Sequence, residues 1–170
     1  GSTSLGLAIL DINCATLAIQ LIHVYTFHID VVVKHGYSNQ EYVFGIHAAR
    51  LTAISDIVTT MAQQWEVDDV VSEAPYMGRF PRAFEVLTQC MSTIRNGLKR
   101  HYGDRPLVSF DPATVKSCVG VKGTSSDKLA VANALLYLPR LSLGAFDINT
   151  LDEHSTDAIA VGYTYAKRML

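Results

Sequence analysis

Four ionisable residues occur where the sequence predicts the end of a strand or one face of a helix. Asp11 ends an otherwise apolar run, and Glu73 ends a shorter one just before Pro75. His154 and Asp157 are three positions apart, so on a helix they share one face. Carboxylate oxygens are preferred ligands of Mg²⁺ and Mn²⁺, and histidine can bind a metal or accept a proton from water. The four residues therefore predict a two-metal site suited to phosphodiester hydrolysis.

Each of these signals is weak when it is taken alone. An aspartate at a strand end is more often a cap or a turn residue. Asp152 and Glu153 begin the same predicted helix as His154, and their default interpretation is to complement the helix dipole. One carboxylate from each of three predicted elements favours Asp11, Glu73 and Asp157 as the metal ligands, with His154 a further ligand or the base.

Apolar patterning predicts the elements that must position these residues. Three apolar runs with short breaks indicate a meander of three strands, and helical spacing without an internal proline indicates one long helix after them. Proline stops the fourth strand and opens the next helix, because it cannot donate to a sheet and is favoured in a first helical turn. The predicted strands are 5–12, 16–24, 26–33, 68–73 and 107–110, and the longer predicted helices are 39–65, 81–99, 127–136 and 152–168, with 141–151 irregular.

This order of elements predicts an α/β fold. A meander followed by crossover helices indicates a five-stranded mixed sheet, with three antiparallel strands and then two parallel ones, and with helices on both faces. If the first and fourth strands are parallel neighbours, Asp11 and Glu73 emerge at the same sheet edge, where α/β proteins place their sites. A chain of 170 residues predicts one domain over 1–170, with Gly1 and Ser2 compatible with a cloning remnant.

Charge is segregated along the chain although the formal net charge is only -2. Six basic residues face two acidic ones between positions 79 and 105, and four acidic residues without a basic one lie between positions 147 and 157. Such a distribution suits a protein that binds phosphates in one place and cations in another. Ordinary solvated helix faces would give the same pattern, so charge alone leaves both interpretations open.

The sequence predicts a protein without a membrane span or secretory signal. Apolar stretches are interrupted long before the roughly 20 residues that a bilayer requires, and the first residues lack the basic and apolar regions of a signal peptide. The three cysteines, Cys14, Cys90 and Cys118, have neither zinc-site spacing nor the density of a disulfide scaffold. We therefore expect a reducing compartment, the cytoplasm of a bacterium or of the host of a virus.

Several segments resemble the RuvC-type Holliday-junction resolvases of the RNase H-like superfamily. They are Ile-Leu-Asp-Ile at 9–12, Val-Ser-Glu-Ala-Pro-Tyr at 71–76, and Thr-Val-Lys-Ser-Cys-Val-Gly at 114–120. Gly-Thr-Ser-Ser-Asp-Lys at 123–128 and His-Ser-Thr-Asp-Ala-Ile-Ala at 154–160 complete the match, which covers nearly the whole chain in order and spacing. The resemblance implies the RNase H-like fold.

The resemblance also implies roles for individual residues. Asp11, Glu73, His154 and Asp157 would hold two Mg²⁺ or Mn²⁺ ions, and Lys116, Lys122 and Lys128 would lie near DNA phosphates. Tyr76 matches the position of an aromatic residue that stacks at the junction centre, with Phe80 as a competing candidate and a core or rim tyrosine as the alternative. Arg79, at the start of the basic stretch, is a further candidate for DNA binding.

The implied activity is endonucleolytic resolution of four-way DNA junctions by paired symmetric nicks that leave 5′-phosphates. Two equivalent cuts require two equivalent active sites, so the resemblance implies a homodimer. Two alternatives stay open. One is an RNase H-like nuclease acting on other branched or hybrid nucleic acids, and the other is a catalytically inactive relative that binds nucleic acid.

Overall fold

Two long strands open the chain, and the first of them carries Asp11. The structure, a computed structural model, describes residues 3–78, 80–104, 107–121 and 129–169. Strand β1 is Ser4–Asn13 and strand β2 is Ala18–His28. The turn between them is stabilised by the Asn13 side chain, which accepts hydrogen bonds from the backbone N–H groups of Ala15 (3.0 Å) and Thr16 (2.9 Å). The first predicted strand is therefore confirmed.

The prediction of a third strand over 26–33 is wrong, because β2 continues to His28 and the helix α1 (Ile29–Gly36) follows it. Ile29 and Val33 are completely buried, whereas Val31 between them is 55% exposed. A strand would place all three on one face, and only the helical period separates Val31 from the other two. The β-branched composition of the run favoured a strand, and packing of the helix overrides that preference.

The predicted long helix 39–65 is two helices, α2 (Ser38–Phe44) and α3 (Ile46–Gln64). Gly45 separates them with a φ of 85°, a left-handed conformation that glycine adopts without steric cost. The next helix, α4 (Pro81–Tyr102), begins with proline in its first turn as predicted.

Two compact units can be distinguished, each built from three segments that alternate along the chain. The first contains the described residues of Gly1–Leu5, Phe27–Val70 and Pro75–Val108, and therefore the helices α1 to α4. Its core is made by apolar side chains of α1, α3 and α4, among them Ile29, Val33, Ala49, Ile54, Ile94 and Leu98. Within it, α3 packs along α4.

The second unit contains the described residues of Gly6–Thr26, Val71–Ala74 and Ser109–Leu170. Its central element is the helix α7 (Glu153–Met169), which contacts β3, α5 and α6. Tyr163, Ile159 and Thr164 of α7 are almost completely buried. The other elements are β3 (Val71–Glu73), β4 (Val108–Phe110), α5 (Pro112–Cys118), α6 (Leu129–Leu135), β5 (Leu141–Ser142) and a 3₁₀ turn (Ile148–Thr150). The first residue of β4, Val108, is counted with the first unit.

The α/β class is confirmed, but the single five-stranded sheet is not what the structure contains. In the described part of the chain, a three-stranded mixed sheet has the order β1–β2–β5, and β3 and β4 form a separate parallel pair. Strand β5 lies parallel to β2, with Ile19 opposite Leu141 and Gln20 opposite Ser142. The sequence predicts an irregular segment over 141–151, since a strand of two residues has no recognisable period.

None of the described helices combines the length and the hydropathy that crossing a bilayer requires.

Candidate active site

Glu73 is the last residue of β3, at the end of the parallel pair with β4. The N–H of Ala74 still donates to the carbonyl of Phe110 at 2.7 Å, and Pro75 then ends the pairing because it has no amide hydrogen. Glu73 as a whole residue is exposed, but protein atoms around its carboxyl partly desolvate it. This desolvation and the negative charge of Asp157 raise the pKa of Glu73, while Lys116 acts in the opposite direction.

Asp157 and His154 occupy the beginning of α7, as predicted. Partial desolvation and the charge of Glu153 raise the pKa of Asp157, whereas His154 and Lys116 lower it. His154 is half-buried and Asp157 is exposed. Because α7 packs against β3, the charge of Asp157 reaches Glu73, and both carboxyl groups have a raised pKa.

Lys116 reaches this region from α5, which packs on α7. The start of α5 is fixed by Asp111, whose carboxylate accepts from the backbone N–H of Thr114 at 2.9 Å and from its hydroxyl at 2.6 Å. These hydrogen bonds from Thr114 lower the pKa of Asp111, and they cap the first turn of α5 as an aspartate before a helix commonly does. Lys116, half-buried, thus brings a positive charge toward Glu73 and Asp157.

Asp11 is exposed on β1, and the contacts of β1 with α7 show where it lies. A Cβ on Gly6 would meet the carbonyl oxygen of His154 at 2.0 Å, and a Cβ on Gly162 would meet the side chain of Leu10 at 2.4 Å. His154 and Gly162 are separated by about 12 Å of helix at 1.5 Å per residue. Asp11, next to Leu10, therefore lies toward the Gly162 end of α7 and not toward its beginning.

The structure brings Glu73 and Asp157 together with His154 and Lys116. Asp11, on β1, lies beside a later part of α7. Among the described residues, no three His, Cys, Asp or Glu side chains form a group that could hold a metal ion. By chemical type, Glu73, Asp157 and His154 are donors that a divalent cation accepts, although they do not form such a group in this structure. Two oxygen donors of raised pKa would be stabilised in the ionised form by a bound cation, and an imidazole lies beside them.

Of the predicted DNA-contacting residues that the structure describes, Lys116 belongs to this group and Tyr76 does not. Tyr76 and Phe80 belong to the other compact unit and are 68% and 75% exposed, so neither is a core residue. Met77, which is 62% exposed, lies on the same segment and was missed by the sequence analysis. Three further predicted DNA contacts fall outside the described residues: Arg79, Lys122 and Lys128.

A second group at the start of α7 was also missed. The carboxylate of Asp152 accepts from the backbone N–H of Ser155 and from the hydroxyl of Thr26, both at 2.8 Å. Desolvation opposes ionisation of Asp152, but these hydrogen bonds outweigh it and lower its pKa. The capping position of Asp152 is readable from sequence. The hydrogen bond of Asp152 with Thr26, which lies on β2, is not readable from sequence. The contact of Gly6 has a sequence signal, because a glycine within an apolar strand is a known sign of close backbone approach.

No protein-family model and no curated protein matched the sequence. The fold is similar to that of RuvC from Thermus thermophilus in two solved structures. One is RuvC in complex with a Holliday junction substrate, with a TM-score of 0.68 and 19% identity, covering 99% of this chain and 91% of that one. The other is a RuvC structure with the same TM-score and identity, covering 99% of this chain and 92% of that one. The resemblance to RuvC-type resolvases is thus confirmed at the level of the fold, which is RuvC-like over almost the entire chain.

Proposed function

We propose that the protein is a divalent-metal-dependent endonuclease that resolves four-way DNA junctions. The observation that carries this proposal is the RuvC-like fold over 99% of the chain, within which the charge of Asp157 acts on Glu73. The fold is compatible with other chemistry, so the acidic pair is the feature that favours cleavage.

The proposed reaction is hydrolysis of one phosphodiester bond in each of two strands. Water attacks phosphorus, the P–O3′ bond breaks, and the products are a 5′-phosphate and a 3′-hydroxyl. Two bound Mg²⁺ or Mn²⁺ ions would supply water activation and stabilisation of the leaving oxygen. Glu73 and Asp157 would hold the ions. The resemblance adds Asp11, which lies beside a later part of α7 in this structure. His154 would either bind an ion or accept the proton of the attacking water.

Lys116 has two roles in this proposal. Without DNA, its charge compensates part of the repulsion between Glu73 and Asp157. With DNA, the same ammonium would pair with a phosphate near the cleaved bond. Paired nicks need two sites related by twofold symmetry, so we infer that the active form is a homodimer.

One observation favours a second candidate, a nucleic-acid-binding relative without activity. Among the described residues, no three potential ligands form a metal-binding group, and Asp11 lies toward the Gly162 end of α7. In such a protein the exposed aromatic residues Tyr76 and Phe80 could still stack on bases. Junction binding without any metal-stimulated nicking would then be the only activity.

A panel of labelled substrates separates these functions. It contains a four-way junction, a flap, an RNA–DNA hybrid and plain duplex DNA, each with Mg²⁺ or Mn²⁺ and again after chelation. We expect metal-dependent nicking of the junction that disappears in Asp11→Asn. Equal cutting of plain duplex would refute junction resolution, preferred cutting of the hybrid or flap would support another RNase H-like nuclease, and unchanged activity of Asp11→Asn would refute the role of Asp11.

A further inference from the structure

Three hydrogen bonds join Asp152, Thr26 and Ser155 at the beginning of α7, and the two that involve Thr26 tie this turn to β2. Thr26 donates its hydroxyl hydrogen to Asp152 at 2.8 Å, and its oxygen is 2.9 Å from the hydroxyl of Ser155. Because the single hydrogen of Thr26 goes to a carboxylate that can only accept, Ser155 is the donor in the second bond. The third bond runs from the backbone N–H of Ser155 to Asp152 at 2.8 Å.

This triad, defined as Thr26, Asp152 and Ser155, sits directly beside the candidate active site. His154 lies between Asp152 and Ser155 in the chain, and Asp157 follows within the next helical turn. Ser155 is 4% exposed and Thr26 is half-buried, so water competes weakly for the bond between these two hydroxyls, whereas the carboxylate of Asp152 is exposed. A charged acceptor makes two of the three bonds stronger than neutral ones.

Strand β1 also contacts this helical turn. Gly6 packs so closely on the backbone of His154 that a Cβ there would lie 2.0 Å from the carbonyl oxygen and 2.4 Å from the carbonyl carbon. The first turn of α7 is therefore held by backbone contact with β1 and by hydrogen bonds to β2. A turn fixed from two strands can neither fray nor rotate freely, although helix ends usually do.

We propose that Asp152, through Thr26 and Ser155, is a positioning residue that sets the orientation of His154 and Asp157 toward the scissile phosphate and its metal ions. This inference rests on the proposed function of the same site. Capping alone would require only the bond from the Ser155 N–H, and the bond to Thr26 adds a connection to a strand 126 residues earlier in the chain. Misplacement of catalytic groups by about 1 Å can cost up to roughly 100-fold in rate, so such a connection is kinetically significant.

The test compares Thr26→Val, which removes the hydroxyl but keeps the shape, with Thr26→Ser, which keeps the hydroxyl. Tyr37→Phe is the matched control, because Tyr37 donates to Asp56 at 2.9 Å in the other compact unit and so loses the same kind of hydrogen bond. Three quantities are measured on each full-length protein. They are amide hydrogen exchange over 153–158, binding of Mn²⁺ in the absence of DNA, and kcat and KM on a four-way junction.

We expect Thr26→Val to speed amide exchange in the first turn of α7 and to weaken Mn²⁺ binding, each by roughly tenfold. On the junction, kcat should fall by roughly tenfold with KM nearly unchanged, because substrate binding does not depend on the orientation of His154 and Asp157. Thr26→Ser should restore all three quantities, and Tyr37→Phe should change none of them even if it lowers Tm.

Other results would overturn the positioning role. Wild-type exchange and Mn²⁺ binding in a folded Thr26→Val variant would show that the triad does not order α7, and a rise in KM without a fall in kcat would show a role in DNA binding instead. If Thr26→Val does not fold, Asp152→Asn, which retains a carbonyl acceptor, must give the same pattern in weaker form. A wild-type protein that never cuts junctions would refute the proposed function. Amide exchange and Mn²⁺ binding need no cleavage, so these two measurements would still test the positioning role.

Discussion

Two glycines at helix contacts, one in each compact unit, show how differently the units are held together. In the helical unit, a Cβ on Gly97 of α4 would lie 2.4 Å from Oγ of Ser55 and 2.9 Å from Oγ1 of Thr59. In the unit with the candidate site, a Cβ on Gly6 would lie 2.0 Å from the backbone carbonyl of His154. The first contact involves side-chain ends, and the second involves the backbone of the turn that carries a site residue.

This difference has a physical consequence for each unit. Hydroxyl groups can rotate away from an added methyl group, at the cost for Ser55 of its hydrogen bond to the carbonyl of Thr93 (3.2 Å), so the contact between α3 and α4 can adapt. A carbonyl of the first turn of α7 can move only if that turn moves, because its groups are already bonded within the helix and to β2. A rigid contact therefore lies beside the candidate active site, and an adaptable one lies in the helical unit.

The largest expected effect is the loss of junction cleavage when a carboxylate of the candidate site is replaced. A carboxylate of the helical unit is replaced in the same way as a control. Glu73→Gln should lower junction cleavage by roughly 1,000-fold or more, since the amide cannot replace a carboxylate ligand, while the fold persists. Glu85→Gln, an exposed position on α4, should leave cleavage unchanged. Single-turnover nicking rates measure both, with circular dichroism confirming the fold. Comparable losses in the two variants would contradict the assignment of the site.

Gly6→Ala should have the largest effect on stability. The added Cβ must displace the carbonyl of His154, so we expect a loss of about 3 kcal/mol in the free energy of unfolding, at the upper end of overpacking effects. Urea unfolding at equal m-values measures it. A loss below about 0.5 kcal/mol would show that the contact between β1 and α7 adapts as readily as ordinary surface positions do.

Gly97→Ala should cost less, about 1 kcal/mol or under. The clash with Ser55 and Thr59 is offset by the higher helix propensity of alanine, worth about 1 kcal/mol in a helix interior. Oγ1 of Thr59 has no hydrogen-bond partner in the described part of the chain, so its rotation breaks nothing. The same urea experiment applies, and a loss equal to that of Gly6→Ala would remove the distinction between the two contacts.

The smallest expected effect is a pH dependence confined to the site unit. The pKa values of Glu73 and Asp157 are raised above their ordinary values of 4.5 and 3.8, so the folded protein binds these protons more tightly than the unfolded chain does. Their contribution to stability is therefore complete below the ordinary values and is lost as the pH rises through the raised ones. In metal-free protein, Glu73→Gln should raise Tm at pH 7 and not below pH 4.5. Thermal melts in the presence of a chelator test this prediction. A lower Tm of Glu73→Gln than of the wild type at pH 7 would contradict it.

Features that depend on neighbouring residues could be predicted from the sequence. The N-cap at Asp111, the proline that begins α4, the strand end at Glu73 and the helix carrying His154 and Asp157 are all present. Each rests on local chemistry, such as a missing amide hydrogen or an available side-chain oxygen. Local signals were therefore sufficient to find the acidic pair.

Features that depend on distant partners could not be predicted. The apolar run that became α1 has a composition typical of strands, and only the burial of Ile29 and Val33 against other helices decides between the two. Strand β5 exists because Leu141 and Ser142 meet β2. The bond between Thr26 and Asp152 likewise joins residues that are 126 positions apart.

The most direct test of the central claim is to map the cuts that the wild-type protein makes in a four-way junction with each strand labelled in turn. With Mg²⁺ or Mn²⁺, we predict nicks at symmetric positions of two opposing strands, each with a 5′-phosphate, and none after chelation or in Glu73→Gln. Junction binding with no metal-dependent nick, or nicks that persist in Glu73→Gln, would contradict the claim that this acidic pair cleaves branched DNA.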